Sequence, residues 1–86
     1  MVEEKVLVVG LGEVGRPLHE LLNECGKFLV YGFDIDEAKM SSIPQKSIPE
    51  EVDVMHICIP CRSQDEFVNV VMGYVKRFKP KLVIVK

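Results

Sequence analysis

The stretch Lys5-Val6-Leu7-Val8-Val9-Gly10-Leu11-Gly12-Glu13-Val14-Gly15-Arg16-Pro17 decides the fold of this chain. Its first half is apolar without alternation, as expected of a central parallel strand covered on both faces. From Val14 the period changes, and Val14, Leu18, Leu21, Leu22 and Cys25 share one helical stripe. Pro17 is tolerated only in the first turn, where its missing N–H leaves no gap, so the helix is expected to begin near Glu13 or Val14. His19 then falls on the exposed side, and Gly26 is placed to end the helix as a left-handed cap. Between strand and helix stands the spacing Gly-x-Gly-x-x-Gly. Gly10 permits a tight turn, Gly12 leaves the backbone bare to an approaching pyrophosphate, and Gly15 allows close helix packing. The unpaired N–H groups of the first helical turn carry partial positive charge toward such a ligand. Glu13 sets a negative charge beside it, with Arg16 available to offset it.

The remaining chain repeats the alternation of strand and helix. Phe28 to Phe33 reads as a second strand, and Asp36 is placed to cap a short helix from Glu37 to about Ser41. Ser42 to Val52 contains Pro44 and Pro49 and reads as an irregular connection, too short for an ordinary crossover helix and edge strand. Val52 to Ile59 reads as a third strand stopped by Pro60. Ser63 caps a last helix, with Asp65 and Glu66 at its positive end. Phe67, Val70, Val71, Tyr74, Val75 and Phe78 form its inward stripe, Pro80 breaks it, and Lys81 to Lys86 reads as a fourth strand. Right-handed crossovers put the second strand on one side of the first. The third must pass to the other side to open a crevice at the switch point. The expected fold is an α/β half-Rossmann, three-layered, with a four-stranded parallel sheet in spatial order 2-1-3-4. Leu82 to Val85 would be an apolar edge strand, which invites self-association through that edge.

Asp34 lies 24 positions after Gly10, at the end of the second strand. An acid there accepts hydrogen bonds from the ribose hydroxyls of an adenosine and repels a 2′-phosphate. No Arg follows it, and Lys39 is the nearest cation downstream. The expected cofactor is therefore NAD rather than NADP.

Length and composition bound the rest. Eighty-six residues make one small domain with a modest core, too small for a complete two-substrate dehydrogenase. Hydrophobic residues at 48% and charged residues at 28% exclude a disordered or collagen-like chain. Eleven Lys and Arg against 13 Asp and Glu, with no basic cluster, argue against nucleic acid as a partner. No apolar run approaches the ~20 residues of a membrane span. The N-terminus shows no signal-like region, so a cytoplasmic location is expected. Three cysteines fit a reduced compartment better than a disulfide framework. Cys58-Ile59-Pro60-Cys61 resembles a thioredoxin-type motif, but Cys58 falls in the apolar strand and reads as core, with Cys61 in the loop. His56 reads as a sheet-face residue, and no paired ligand spacing for zinc is present.

Three segments together resemble the N-terminal part of the UDP-glucose/GDP-mannose dehydrogenase family. They are Gly10-Leu11-Gly12-Glu13-Val14-Gly15-Arg16-Pro17-Leu18, Tyr31-Gly32-Phe33-Asp34-Ile35-Asp36, and Val52-Asp53-Val54-Met55-His56-Ile57-Cys58-Ile59-Pro60. The resemblance covers nearly the whole chain, and its Gly-x-Gly-x-Val-Gly-x-Pro pattern is more specific than the glycines alone. It implies an NAD-binding domain spanning residues 1–86, a fragment or a minimal relative of a longer oxidoreductase. On the matching positions, Gly10, Gly12, Val14 and Gly15, with Glu13 between them, would form the pyrophosphate turn. Asp34 would hold the ribose, and Pro60, Cys61 and Arg62 would line the crevice. The chain departs from the family in its short link between second and third strands and in Cys61, where the family usually has Thr. It has no positions matching the family's catalytic Cys and Lys or its sugar-nucleotide site, so a separate substrate domain is implied. Related hydroxy-acid dehydrogenases share the nucleotide fold. A nucleotide-sensing module like those of potassium-transport regulators uses the same glycine turn and is the alternative.

Overall fold

The computed structural model describes residues 4–43, 47–59 and 63–85. Its elements run β1 (Glu4–Val9), α1 (Gly15–Cys25), β2 (Phe28–Phe33), α2 (Glu37–Met40), β3 (Val54–Ile57), α3 (Gln64–Phe78) and β4 (Leu82–Val85). The four strands form one parallel sheet in the order β2-β1-β3-β4. This is the expected half-Rossmann-like α/β architecture. No helix among the described residues is long and apolar enough to cross a membrane.

Alternation along β1 explains the three layers. Leu7 and Val9 face a cluster with Met55, Ile57, Val52 and Phe78, onto which α3 packs Phe67, Val71, Tyr74 and Val75. Val8 faces the opposite cluster, with Leu11 and Ile43, onto which α1 packs Leu18 and Leu22. A strand buried on both faces has no polar side to alternate, hence the unbroken apolar run. Each fully buried side chain of this kind contributes about 1.5–3 kcal/mol.

Helix α1 begins one residue later than expected and turns a different face inward. Its buried residues are Gly15 and His19, with Leu18 and Leu22 half-buried, whereas Val14 and Leu21 are 57% and 66% exposed. His19 is only 4% exposed, contrary to the expected exposed position. Gly32 of β2 explains the difference. A Cβ there would stand 3.1 Å from His19 Cδ2 and 2.5 Å from Ile43 Cδ1, so its absence makes room for the imidazole. Gly26 ends the helix as expected, at φ 72°.

The remaining boundaries follow the sequence signals closely. Asp36 caps α2 by accepting from the Ala38 N–H at 2.9 Å, and Ser63 caps α3 by accepting from the Glu66 N–H at 3.2 Å. Lys79, at φ 46°, closes α3 in a left-handed conformation that glycine adopts at lower cost. β3 is shorter than expected at both ends: its regular ladder runs only from Val54 to Ile57, and the Val52 N–H turns away from the sheet. The Val52 N–H donates to the Phe78 carbonyl at 3.0 Å. Asp53 ties three strands at the amino end of the sheet. Its N–H donates to the Lys5 carbonyl at 2.9 Å, and its Oδ2 accepts from the Lys5 N–H at 2.8 Å. Its carbonyl accepts from the N–H groups of Lys81 and Leu82 at 3.1 and 3.0 Å. The Lys81 Nζ lies 3.3 Å from Oδ1. The Lys5 N–H holds the Asp53 carboxyl below its ordinary value; partial desolvation opposes this and Lys81 reinforces it.

Candidate functional site

Strand register levels the carboxyl ends of the sheet. Val9 stands opposite both Phe33 and Ile57, and Ile57 stands opposite Val85. Two more hydrogen bonds extend this edge: the Gly10 N–H donates to the Phe33 carbonyl and the Cys58 N–H to the Val9 carbonyl, both at 2.8 Å. The chain leaves β1 toward β2 on one side and meets β3 on the other. An open cleft of about 1670 Å³ lies over this divergence, at the place the switch-point rule assigns to ligands.

The three glycines of the turn answer different constraints. Gly10 has φ 91°, and a Cβ on it would stand 2.6 Å from the Cys58 carbonyl oxygen. A Cβ on Gly15 would overlap the Gly10 carbonyl oxygen and stand 2.8 Å from its carbon. Gly12 is different: the nearest heavy atom to its absent Cβ is the Lys39 Nζ, at 4.0 Å. No packing constraint therefore demands glycine at position 12. What its bareness provides is approach to the backbone from the cleft.

Helix α1 lacks a side-chain cap. Val14 occupies the cap position with helical torsions, φ −98° and ψ −46°, and no acidic residue lies in the first turn. The first bonds of the helix run from Arg16 N–H to the Gly12 carbonyl at 3.2 Å and from Leu18 N–H to the Val14 carbonyl at 3.3 Å. Among the described residues, no acceptor is found for the N–H groups of Gly12, Glu13, Val14 and Gly15. Four successive donors are thus left at the positive end of the helix dipole, three of them on residues that line the cleft, Gly12, Glu13 and Val14.

Charged groups surround these donors. Lys39 reaches over Gly12 from α2. Arg16 pairs with Glu20, its Nε 3.7 Å from Oε1, rather than with Glu13, which is exposed to solvent. Asp34 sits at the end of β2, where the ribose acid was expected. Its Oδ2 accepts from the Leu11 N–H and its Oδ1 from the Asp36 N–H, both at 2.8 Å. A carboxylate has about four acceptor positions, so two such bonds leave capacity for hydroxyls.

The structure brings Gly10, Gly12, Glu13, Val14 and Asp34 together along the cleft, with Gly15 just beneath. Pro60, Cys61 and Arg62 lie outside the described residues. Cys58 is half-buried just past β3 against the α1-side cluster, and neither it nor Cys25 forms a disulfide. Two cleft residues were not singled out as site residues in the sequence. Lys39 was marked only as the nearest cation, and Tyr74 only as part of the α3 stripe. Tyr74 lines the cleft from α3 and packs edge-on against Phe33, with centroids 5.8 Å apart. Burial raises its phenol pKa above the ordinary value of 10.0; Asp34 adds to the rise and Arg77 opposes it. Position five after Asp34 and the i+4 spacing within the α3 stripe were the available signals. Comparison with family models, curated proteins and solved structures gave no match.

Proposed function

We propose that this chain is the NAD-binding unit of an oxidoreductase resembling the UDP-glucose/GDP-mannose dehydrogenases, with the substrate held by a separate domain. The observation that carries this reading is the run of four unbonded N–H groups beside a Cβ-free Gly12, level with Asp34. The amides from Gly12 to Gly15 would hold the diphosphate, with the Lys39 ammonium facing it from α2. Asp34 would accept from the adenosine ribose and disfavour a 2′-phosphate by charge. NAD, when bound, supplies a hydride acceptor at its nicotinamide. The residues of this chain bind and orient that group. The test is titration of NAD, NADP and ADP into the folded chain, followed by backbone amide NMR. NAD and ADP are expected to shift the Gly12 to Gly15 amides, with NADP weaker. Undisturbed amides at saturating ADP would refute the assignment.

A further inference from the structure

Asp34 occupies a junction that a ribose-binding role does not require. The Gly10 N–H is held by the Phe33 carbonyl, and the next amide, that of Leu11, is held by Asp34 Oδ2. Leu11 is 2% exposed and packs beneath the turn with Val8 and Ile43. Its N–H is therefore fixed by a charged acceptor while its side chain is fixed by the core. The other oxygen, Oδ1, accepts from Asp36, whose own carboxylate caps α2 at Ala38. α2 carries Lys39, and Lys39 Nζ lies over Gly12. One carboxylate thus touches both walls of the phosphate site: the glycine turn directly, and the helix bearing the opposing cation.

We infer that Asp34 is the positioning residue of the phosphate site, one oxygen fixing the glycine turn and the other fixing the helix that presents Lys39. The inference rests on the dinucleotide reading of the cleft and extends it to a ligand with no ribose at all. Electrostatics makes the two roles separable. A carboxylate near a bound anion weakens it, so an Asp34 that only meets ribose leaves pyrophosphate affinity unchanged or improved on removal. An Asp34 that sets the walls gives the opposite sign.

The experiment titrates inorganic pyrophosphate into the unmutated chain, Asp34→Ala and Asp34→Asn, reading the Gly12 to Gly15 amides by NMR. Asp34→Ala is expected to weaken pyrophosphate about tenfold, the scale of a lost charge-assisted hydrogen bond. Asp34→Asn keeps one acceptor oxygen and is expected to weaken it less. Unchanged or tighter binding in Asp34→Ala overturns the inference. Amide exchange in the unmutated protein supplies a test that needs no variant to fold. The Leu11 N–H is expected to exchange as slowly as strand amides such as Val8, and free exchange at Leu11 overturns the positioning role. If neither pyrophosphate nor NAD moves the Gly12 to Gly15 amides of the unmutated chain, the dinucleotide reading fails. Leu11 exchange then still decides whether Asp34 holds the turn.

Discussion

Substituting Gly15 and Gly12 by alanine should separate packing from binding. At Gly15 the added Cβ overlaps the Gly10 carbonyl oxygen, lies 2.8 Å from its carbon and 3.2 Å from Cys58 Cβ. An ordinary carbon–oxygen contact is about 3.3–3.6 Å, so the start of α1 must retreat by on the order of 1–2 Å. The turn cannot yield easily, because Gly10 and Leu11 are both held by hydrogen bonds at 2.8 Å. Forced overpacking of this kind costs about 3 kcal/mol. A domain of this length has a total stability of roughly 4–13 kcal/mol, so the loss is large. It corresponds to a Tm lower by roughly 12–24 °C. At Gly12 the nearest atom is Lys39 Nζ at 4.0 Å, so Gly12→Ala should change stability by less than about 0.5 kcal/mol. It should nevertheless weaken NAD, because the methyl group projects into the cleft. Urea and thermal unfolding of both variants, followed by circular dichroism, check the contrast. Equal stabilities for the two variants would refute the assignment of separate roles.

Four further outcomes are expected. Asp53→Asn should destabilise the fold near neutrality. The Asp53 carboxyl is held below its ordinary value of 3.8, so its contribution is present above that pH and is lost as pH falls through the lowered native value. The stability gap between the two proteins should therefore be constant near neutrality and close in acid, as measured by urea titrations at stepped pH. Glu13→Gln should tighten NAD about two- to threefold at low salt, with the gain shrinking as salt rises, because Glu13 is exposed on the cleft; calorimetry at two ionic strengths checks it. Lys79→Gly should stabilise the chain by about 0.5–1 kcal/mol, relieving a left-handed non-glycine residue, as read by chemical denaturation. Pairing through the apolar edge of β4 should give concentration-dependent self-association that Leu82→Lys abolishes, with light scattering as the assay.

The switch from apolar run to helical period at Gly10 was enough to place β1 and α1, because both periods are strong and the glycines punctuate them. Strand order was equally legible, since crossover handedness leaves few alternatives once β1 is central. The inward face of α1 differs from the one its apolar stripe predicts. Centring the stripe on apolar side chains favoured Leu21 and Cys25, yet Gly15 must face the Gly10 carbonyl, and His19 lies one helical turn beyond it. The glycine that demands close packing was a better marker of the buried face than the leucines. The bonds made by Asp53 and Val52 depend on Lys5, Lys81 and Phe78, none of them near in sequence. The same holds for Lys39 and Tyr74, which reach the cleft from separate helices. Position along one element reveals its neighbours on that element, whereas residues gathered by three elements emerge only after the fold is assembled.

Asp53 and the cleft sit at opposite ends of the same four-residue ladder from Val54 to Ile57, roughly 13 Å apart at the usual strand rise. Substitutions separated by that distance are expected to combine additively. Anchorage and recognition are therefore uncoupled: the upper rim can be rebuilt for a different ligand while the lower knot keeps the strands in register, and the knot can be strengthened without altering what the rim accepts.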